Sequence, residues 1–120
     1  WDEMYHQFLG VTAPNRSLGV LQDIHWSMGA IGYFPTYTLG NLYAAQLLEA
    51  ARKDLPNHDE QIRSGEFGPL LNWMRENVHG RGSVLKPADL IEEATGHQPS
   101  PDAFIRYLSS KVERLYGVTA

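Results

Sequence analysis

The chain lacks cysteine and has few basic residues, and both shortages narrow the functions open to it. Without cysteine there is no disulfide framework, no thiolate metal site and no cysteine nucleophile, which fits a reducing compartment. Ten Lys and Arg residues stand against fourteen Asp and Glu residues, giving a net charge of -4 with no basic stripe. Because nucleic-acid surfaces need clustered positive charge, we expect no nucleic-acid partner.

Long apolar runs are missing as well. No stretch of the sequence approaches the roughly 20 apolar residues that a membrane span needs. The N-terminus also lacks the basic and apolar segments of a signal peptide. We therefore expect no membrane partner and a cytoplasmic location. A length of 120 residues allows one domain at most, so residues 1–120 are predicted to form a single helical region.

Apolar residues recur at helical spacing throughout the chain, and glycines and prolines separate the periodic segments. No segment alternates apolar and polar residues as a half-buried strand would, apart from an ambiguous triplet at 83–85. The sequence therefore predicts an all-α, bundle-like fold. Helices are expected over residues 1–9, 36–54, 57–63, 67–78 and 87–94, with a last one from the N-cap Ser100 to Gly117.

Standard catalytic signatures are absent: the chain has no HExxH, no glycine-rich phosphate loop and no GxSxG elbow. Two Glu-x-x-His pairs, Glu3 with His6 and Glu76 with His79, have the local spacing of a di-iron bundle. Helical projection places both pairs away from the apolar stripes, on faces expected to meet solvent. We therefore expect no metal ligand in this chain.

The segment from 19 to 46 concentrates aromatic, amide, carboxylate and imidazole groups. Within it, Asp23 and His25 could handle a proton, while Gln22 could orient a substrate carbonyl. The alternative is that Asp23 caps the following helix and that His25 and Trp26 are packing residues. Taken alone, this motif favours the packing interpretation.

A longer sequence pattern favours the functional interpretation of these residues over the packing interpretation. The string GVLQDIHW resembles the GxxQDxHW signature of the thermostable carboxypeptidase 1 family of HExxH zinc peptidases. Further strings resemble the C-terminal region of that family in order, and together they cover nearly the whole chain. They are GYFPTYTLGNLYAAQ, DLPNHDEQIRSGEFGPLLNWMRENVHGRG, ATG, FIRYL and LYG.

The resemblance implies that the chain is the C-terminal portion of a larger, mostly helical and usually homodimeric metallocarboxypeptidase. Such enzymes remove C-terminal amino acids from peptide substrates with broad specificity, proline excepted. The family's HExxH and third zinc ligand would lie upstream of this chain. Zinc is therefore expected in the full-length enzyme and not in these 120 residues, which should be inactive alone.

By the same resemblance, one part of the chain lines the active-site cleft. His25 and Asp23 are the predicted catalytic residues, with His25 donating to the oxyanion or to the terminal carboxylate of the peptide. The predicted substrate-binding residues are Gln22, Trp26, Tyr33 and Tyr37. A second hypothesis remains open, in which the chain is a non-catalytic helical interaction or dimerisation module.

Overall fold

The computed structural model describes residues 1–118, and these residues form helices joined by turns. Three short 3₁₀ turns, Arg16–Leu18, Val20–Gln22 and His79–Arg81, interrupt the connections. No strand occurs among residues 1–118, so the predicted all-α class is confirmed. The α-helices are α1 (Asp2–Leu9), α2 (Ile24–Ser27), α3 (Pro35–Asp54), α4 (His58–Ser64), α5 (Gly68–Asn77), α6 (Pro87–Thr95) and α7 (Asp102–Tyr116).

Most helix ends lie where the sequence signals place them. Gly10, Gly65, Gly96 and Gly117 each follow the last helical residue in the left-handed conformation, which glycine adopts without a Cβ clash. Pro87 occupies the first turn of α6, where its missing N–H costs no hydrogen bond. Within the described part of the chain, no helix combines the length and apolar character that a bilayer crossing requires.

Two signals act differently from the sequence prediction, which has Gly80 close the helix over 67–78 and Ser100 cap the last helix. Helix α5 ends at Asn77, before Gly80, because Val78 leaves helical geometry at φ -122°. Gly80 lies in the following 3₁₀ turn, where a Cβ would stand 2.9 Å from the Arg75 carbonyl oxygen. Helix α7 begins at Asp102, and the Ser100 hydroxyl accepts the Asp102 N–H at 3.1 Å, so Ser100 serves the helix start from one residue further out than predicted.

The chain divides into two compact units, the first of which is Trp1–Thr36. In this unit the Trp1 and Tyr5 rings stack with centroids 4.4 Å apart, one helical turn from each other. Gly19 is its buried residue, and a Cβ there would lie 2.9 Å from Ala13 Cβ and 3.1 Å from Trp1 Cζ3. The close approach of these side chains therefore requires glycine at position 19.

The second unit begins at Tyr37 and contains most of α3 with the helices that follow it. The Trp73 indole of α5 donates to Asp54 of α3 at 2.8 Å. Arg106 of α7 forms an ion pair with Glu49 of α3 at 2.8 Å. These contacts place α5 and α7 against one long helix.

The Gln46 side chain of α3 binds the connection between α6 and α7. Its Nε2 lies within 3.1 Å of three acceptors, the Thr95 hydroxyl and the carbonyl oxygens of His97 and Gln98. Its Oε1 accepts the Ser100 N–H at 3.2 Å. A buried amide is stable only when its polar atoms find partners, and Gln46 finds them in this loop.

Four apolar residues are buried in the described part of the second unit, and two of them are alanines. They are Ala51, Trp73, Ile91 and Ala103. The sequence predicts an apolar stripe for α5 that omits Trp73, yet Trp73 is the buried residue of that helix. The predicted stripe is Phe67, Leu70, Leu71, Met74 and Val78. Several residues of the predicted stripes are instead exposed, namely Leu39, Phe67, Leu71, Leu108, Val112 and Leu115. Apolar periodicity identified the helices and the packing face of α3, where Gln46 is buried, but not the faces of α5 and α7 that pack within this chain.

Candidate active-site residues

The first turn of α2 carries the central pair of the candidate site. Asp23 follows the 3₁₀ turn Val20–Gln22 and occupies the N-cap position of α2. Its Oδ1 accepts the His25 backbone N–H at 2.9 Å, which satisfies one of the unpaired donors at the helix start. The predicted capping role of Asp23 is therefore confirmed.

The same carboxylate oxygen also binds the side chain of His25. Asp23 Oδ1 and His25 Nδ1 are 2.7 Å apart, and the two side chains are 21% and 18% exposed. A carboxylate can only accept, so Nδ1 carries the proton in this contact and Nε2 holds the lone pair of a neutral ring. Capping and pairing are thus performed by one oxygen, and the two interpretations of Asp23 do not exclude each other.

This arrangement shifts the titration of Asp23. Burial acts to raise the pKa of the carboxyl, but hydrogen bonds from the His25 side chain and backbone, with the charge of His25, outweigh it. The pKa of Asp23 is consequently lowered from its ordinary value. The carboxylate therefore stays ionised, and able to hold the imidazole, at neutral pH.

Two aromatic rings contact the imidazole of His25. Tyr33 stacks on it with centroids 5.2 Å apart and an interplanar angle of 27°. Phe34 meets it edge-on at 5.9 Å and 70°. Together with the Asp23 contact, these rings restrict both the position and the plane of the His25 side chain. Phe34 is absent from the predicted site. The sequence feature that could have identified it is its position next to Tyr33 in an aromatic cluster.

The remaining predicted residues are arranged differently. Gln22 donates its side-chain N–H to the Ser17 carbonyl oxygen. Trp26 lies in α2 with its indole exposed. Tyr37 lies in the first turn of α3 and belongs to the second unit. Within the first unit, the structure brings Asp23, His25 and Tyr33 together.

A second cluster of titratable groups lies in the second unit. His58 Nδ1 is 2.8 Å from Asp59 Oδ1, and Arg52 Nη2 is 2.9 Å from the same oxygen. The hydrogen bond from His58, followed by the hydrogen bond and charge of Arg52, lowers the pKa of Asp59. The His58 Nε2 atom is buried and has no hydrogen-bond partner among residues 1–118. Sequence reasoning did not find this cluster, since only folding brings Arg52 to Asp59.

Residues 1–118 contain no group of three or more His, Cys, Asp or Glu side chains that could hold a metal ion. The donors present here therefore do not fit a zinc centre, which needs three or four converging ligands.

Comparison with known proteins identifies the family. The model of the carboxypeptidase Taq (M32) metallopeptidase family matches residues 1–112. Thermostable carboxypeptidase 1 of Thermus thermophilus is 46% identical over 117 residues, which are 98% of this chain and 23% of that protein. Carboxypeptidase 1 of Bacillus subtilis is 44% identical over 116 residues, or 97% and 23% of the two chains.

Solved structures agree with these sequence matches. The crystal structure of the M32 carboxypeptidase from Deinococcus radiodurans superposes with a TM-score of 0.92 at 40% identity, covering 98% of this chain and 24% of that one. The carboxypeptidase of Pyrococcus furiosus gives 0.88 at 40% identity, covering 92% and 22%. This chain thus spans about a quarter of the length of the relatives it matches. With nearly all of its sequence and its backbone matched, the chain belongs to the carboxypeptidase Taq (M32) metallopeptidase family.

Proposed function

We propose that this chain is the C-terminal part of a zinc-dependent metallocarboxypeptidase and supplies one wall of its active-site cleft. The whole enzyme would remove C-terminal amino acids from peptides, with broad side-chain tolerance apart from proline. The observation that carries the proposal is the Asp23–His25 pair, which lies in the family-matched region. Three separate contacts, one from Asp23 and two from aromatic rings, hold the His25 imidazole. A packing histidine needs no such fixed tautomer.

His25 is the residue to which we assign the chemistry. Nδ1 binds Asp23, and we assign the contact with the substrate to the other ring nitrogen, Nε2. A protonated Nε2 donates to the developing oxyanion or to the terminal carboxylate, both of which carry negative charge. Asp23 acts through His25, because it fixes the ring orientation and stabilises the imidazolium.

Four further residues are assigned to substrate binding. The Tyr33 ring positions His25 by stacking, and the Tyr33 hydroxyl is a donor for a bound carbonyl. Tyr37 is assigned a second hydroxyl contact, while Gln22 and Trp26 would line the cleft. Gln22 uses its amide nitrogen on Ser17, so we assign its Oε1 atom to the substrate backbone.

The zinc is assigned to the longer protein. Because the described residues offer no converging set of ligands, we place all zinc ligands outside this chain. We further propose that the full enzyme is a cytoplasmic homodimer whose partners are peptide substrates. The isolated 120 residues would then be inactive.

The test uses the longer protein that contains these residues. We expect His25→Ala to lower kcat/KM for an N-blocked dipeptide by about 10² to 10³, the usual cost of losing an oxyanion donor. His97→Ala is the matched control, since its exposed side chain lies outside the site. An unchanged kcat/KM in a folded His25→Ala enzyme would leave the non-catalytic helical module as the better hypothesis.

A further inference from the structure

Helix α7 packs on α3 with its polar side. Ala103 of α7 is buried, and Arg106 places Nη2 3.0 and 2.8 Å from the two carboxylate oxygens of Glu49. Ser110, one helical turn further on, lines the same shallow cleft between the two helices. Positions 103, 106 and 110 repeat at helical spacing, so they define the face of α7 that meets α3.

The apolar side of α7 points the other way. We call it the α7 stripe, and it consists of Ile105, Leu108, Val112 and Leu115, which are 55%, 40%, 38% and 58% exposed. At about 100° per residue, the centre of the α7 stripe lies about 180° from the centre of the face that meets α3. The helix therefore presents its best packing surface away from the helix on which it lies.

An uncovered stripe of this kind needs an occupant. Single exposed apolar residues are ordinary on a protein surface, but a contiguous row along about three turns marks an interface. The relatives that match this chain over nearly its full length are about four times as long. Three quarters of each related chain thus lies outside the matched part and is available to cover such a face.

We infer that the α7 stripe is covered by the polypeptide that precedes Trp1 in the longer protein, an inference that rests on the C-terminal placement proposed above. A segment of the same chain is present at high effective concentration and pays no association entropy, whereas a second copy must overcome it. The stripe is therefore an internal packing surface between this chain and the preceding part of the enzyme.

Accessibility of the stripe provides the first test. In the longer protein, Val112→Cys is nearly isosteric and lies in the stripe, while Glu113→Cys is its exposed neighbour. We expect a thiol reagent to modify Val112→Cys at least about tenfold more slowly, because the covered position reacts only after local opening. Equal rates at the two positions would overturn the inference.

The identity of the occupant is tested by photo-leucine, which replaces Leu108 and Leu115 without a change of shape. The longer protein is irradiated as a mixture of ¹⁴N and ¹⁵N chains, and the cross-linked peptides are sequenced by mass spectrometry. We expect α7 peptides to be cross-linked to peptides that precede Trp1, and both peptides of each link to carry the same nitrogen isotope. Mixed-isotope links would assign the stripe to a second copy, and links only within residues 1–120 or none at all would also overturn the inference.

Peptidase activity of the same preparation separates the two proposals. An inactive protein that still gives the upstream cross-link would contradict the proposed function and support the packing surface. An active protein with an accessible α7 stripe would support the proposed function and contradict the packing surface.

Discussion

The indole Nε1 of Trp73 donates a hydrogen bond to the Asp54 carboxylate at 2.8 Å, joining α5 to the last turn of α3. Trp73 is buried, so its N–H cannot turn to water if the acceptor is removed. A lone tryptophan outside the predicted apolar stripe is thereby fixed by a polar contact. The pair accounts for the placement of α5 better than the apolar periodicity of that helix does.

Removing this acceptor should be costly. We expect Asp54→Ala to lower the free energy of unfolding by about 1 to 3 kcal/mol, the cost of a buried unsatisfied donor. Denaturant unfolding followed by tryptophan fluorescence measures it. Glu60→Ala is the control, because the exposed Glu60–Arg63 pair should contribute less than about 1 kcal/mol. Equal losses in the two variants would show that the indole bond is not the cause.

Gln46 should be sensitive to substitution in the same way. We expect Gln46→Leu to cost about 1 to 3 kcal/mol, since it removes the side-chain partner of the Gln98 carbonyl and the Ser100 N–H. The His97 carbonyl loses one of its two donors and keeps the Thr95 hydroxyl. His97→Ala should be nearly neutral, because the hydrogen bonds of that residue are made by its main-chain N–H and carbonyl oxygen. Hydrogen exchange at Ser100 provides a local readout, and unchanged protection in Gln46→Leu would contradict the assignment.

Two glycines should respond to alanine with opposite signs. Gly19→Ala brings a Cβ within 2.9 Å of Ala13 Cβ, and we expect overpacking to cost about 1 to 3 kcal/mol. Gly40→Ala, inside α3 with no atom within 4 Å of the added Cβ, should stabilise by about 0.5 to 1 kcal/mol. Thermal unfolding of both variants measures the difference. A stabilising Gly19→Ala would mean that the Ala13 and Trp1 side chains do not pack closely against the backbone at position 19.

The contact between Asp23 and His25 predicts a dependence of stability on pH. Because the pKa of Asp23 is lowered on folding, its contribution is fully present above the unfolded pKa of about 4 and is lost as pH falls through the folded pKa. Carbon-13 NMR of the Asp23 carboxyl should show the low titration directly. In His25→Asn we expect this pKa to move up towards its ordinary value. An identical titration in both proteins would exclude His25 as the cause.

Metal removal should separate this chain from the enzyme that contains it. We expect a chelator to abolish release of C-terminal residues by the longer protein, with activity restored by zinc. The 120 residues alone should neither bind zinc stoichiometrically nor cleave the same blocked dipeptide. Turnover by the isolated chain would mean that its histidines form a metal site in solution, against the assignment made above.

The sequence predicted the helices well because the residues that begin and end them act through local backbone conformation and local hydrogen bonds. Gly10, Gly65 and Gly96 end helices through their own backbone freedom, and Asp23 caps α2 through a bond spanning two residues. The packing face of α3 was predicted well, since it included the buried Gln46. The faces of α5 and α7 were predicted poorly, and Trp73 of α5 is placed by a partner 19 residues away. Of the candidate site, Asp23, His25 and Tyr33 could be found from one motif and its neighbours. The cluster around Asp59 could not, since Arg52 reaches it only in the folded chain.

The Gln46 contacts bear on how the connection between α6 and α7 can vary. Three of the partners of this side chain are main-chain atoms, namely the carbonyl oxygens of His97 and Gln98 and the Ser100 N–H. Main-chain atoms are the same for almost every amino acid. The side chains at 97 and 98 can therefore be substituted while the path of the loop is retained. The length of that loop is not free, because one inserted residue would move a carbonyl out of reach of a helix 51 residues earlier in the chain.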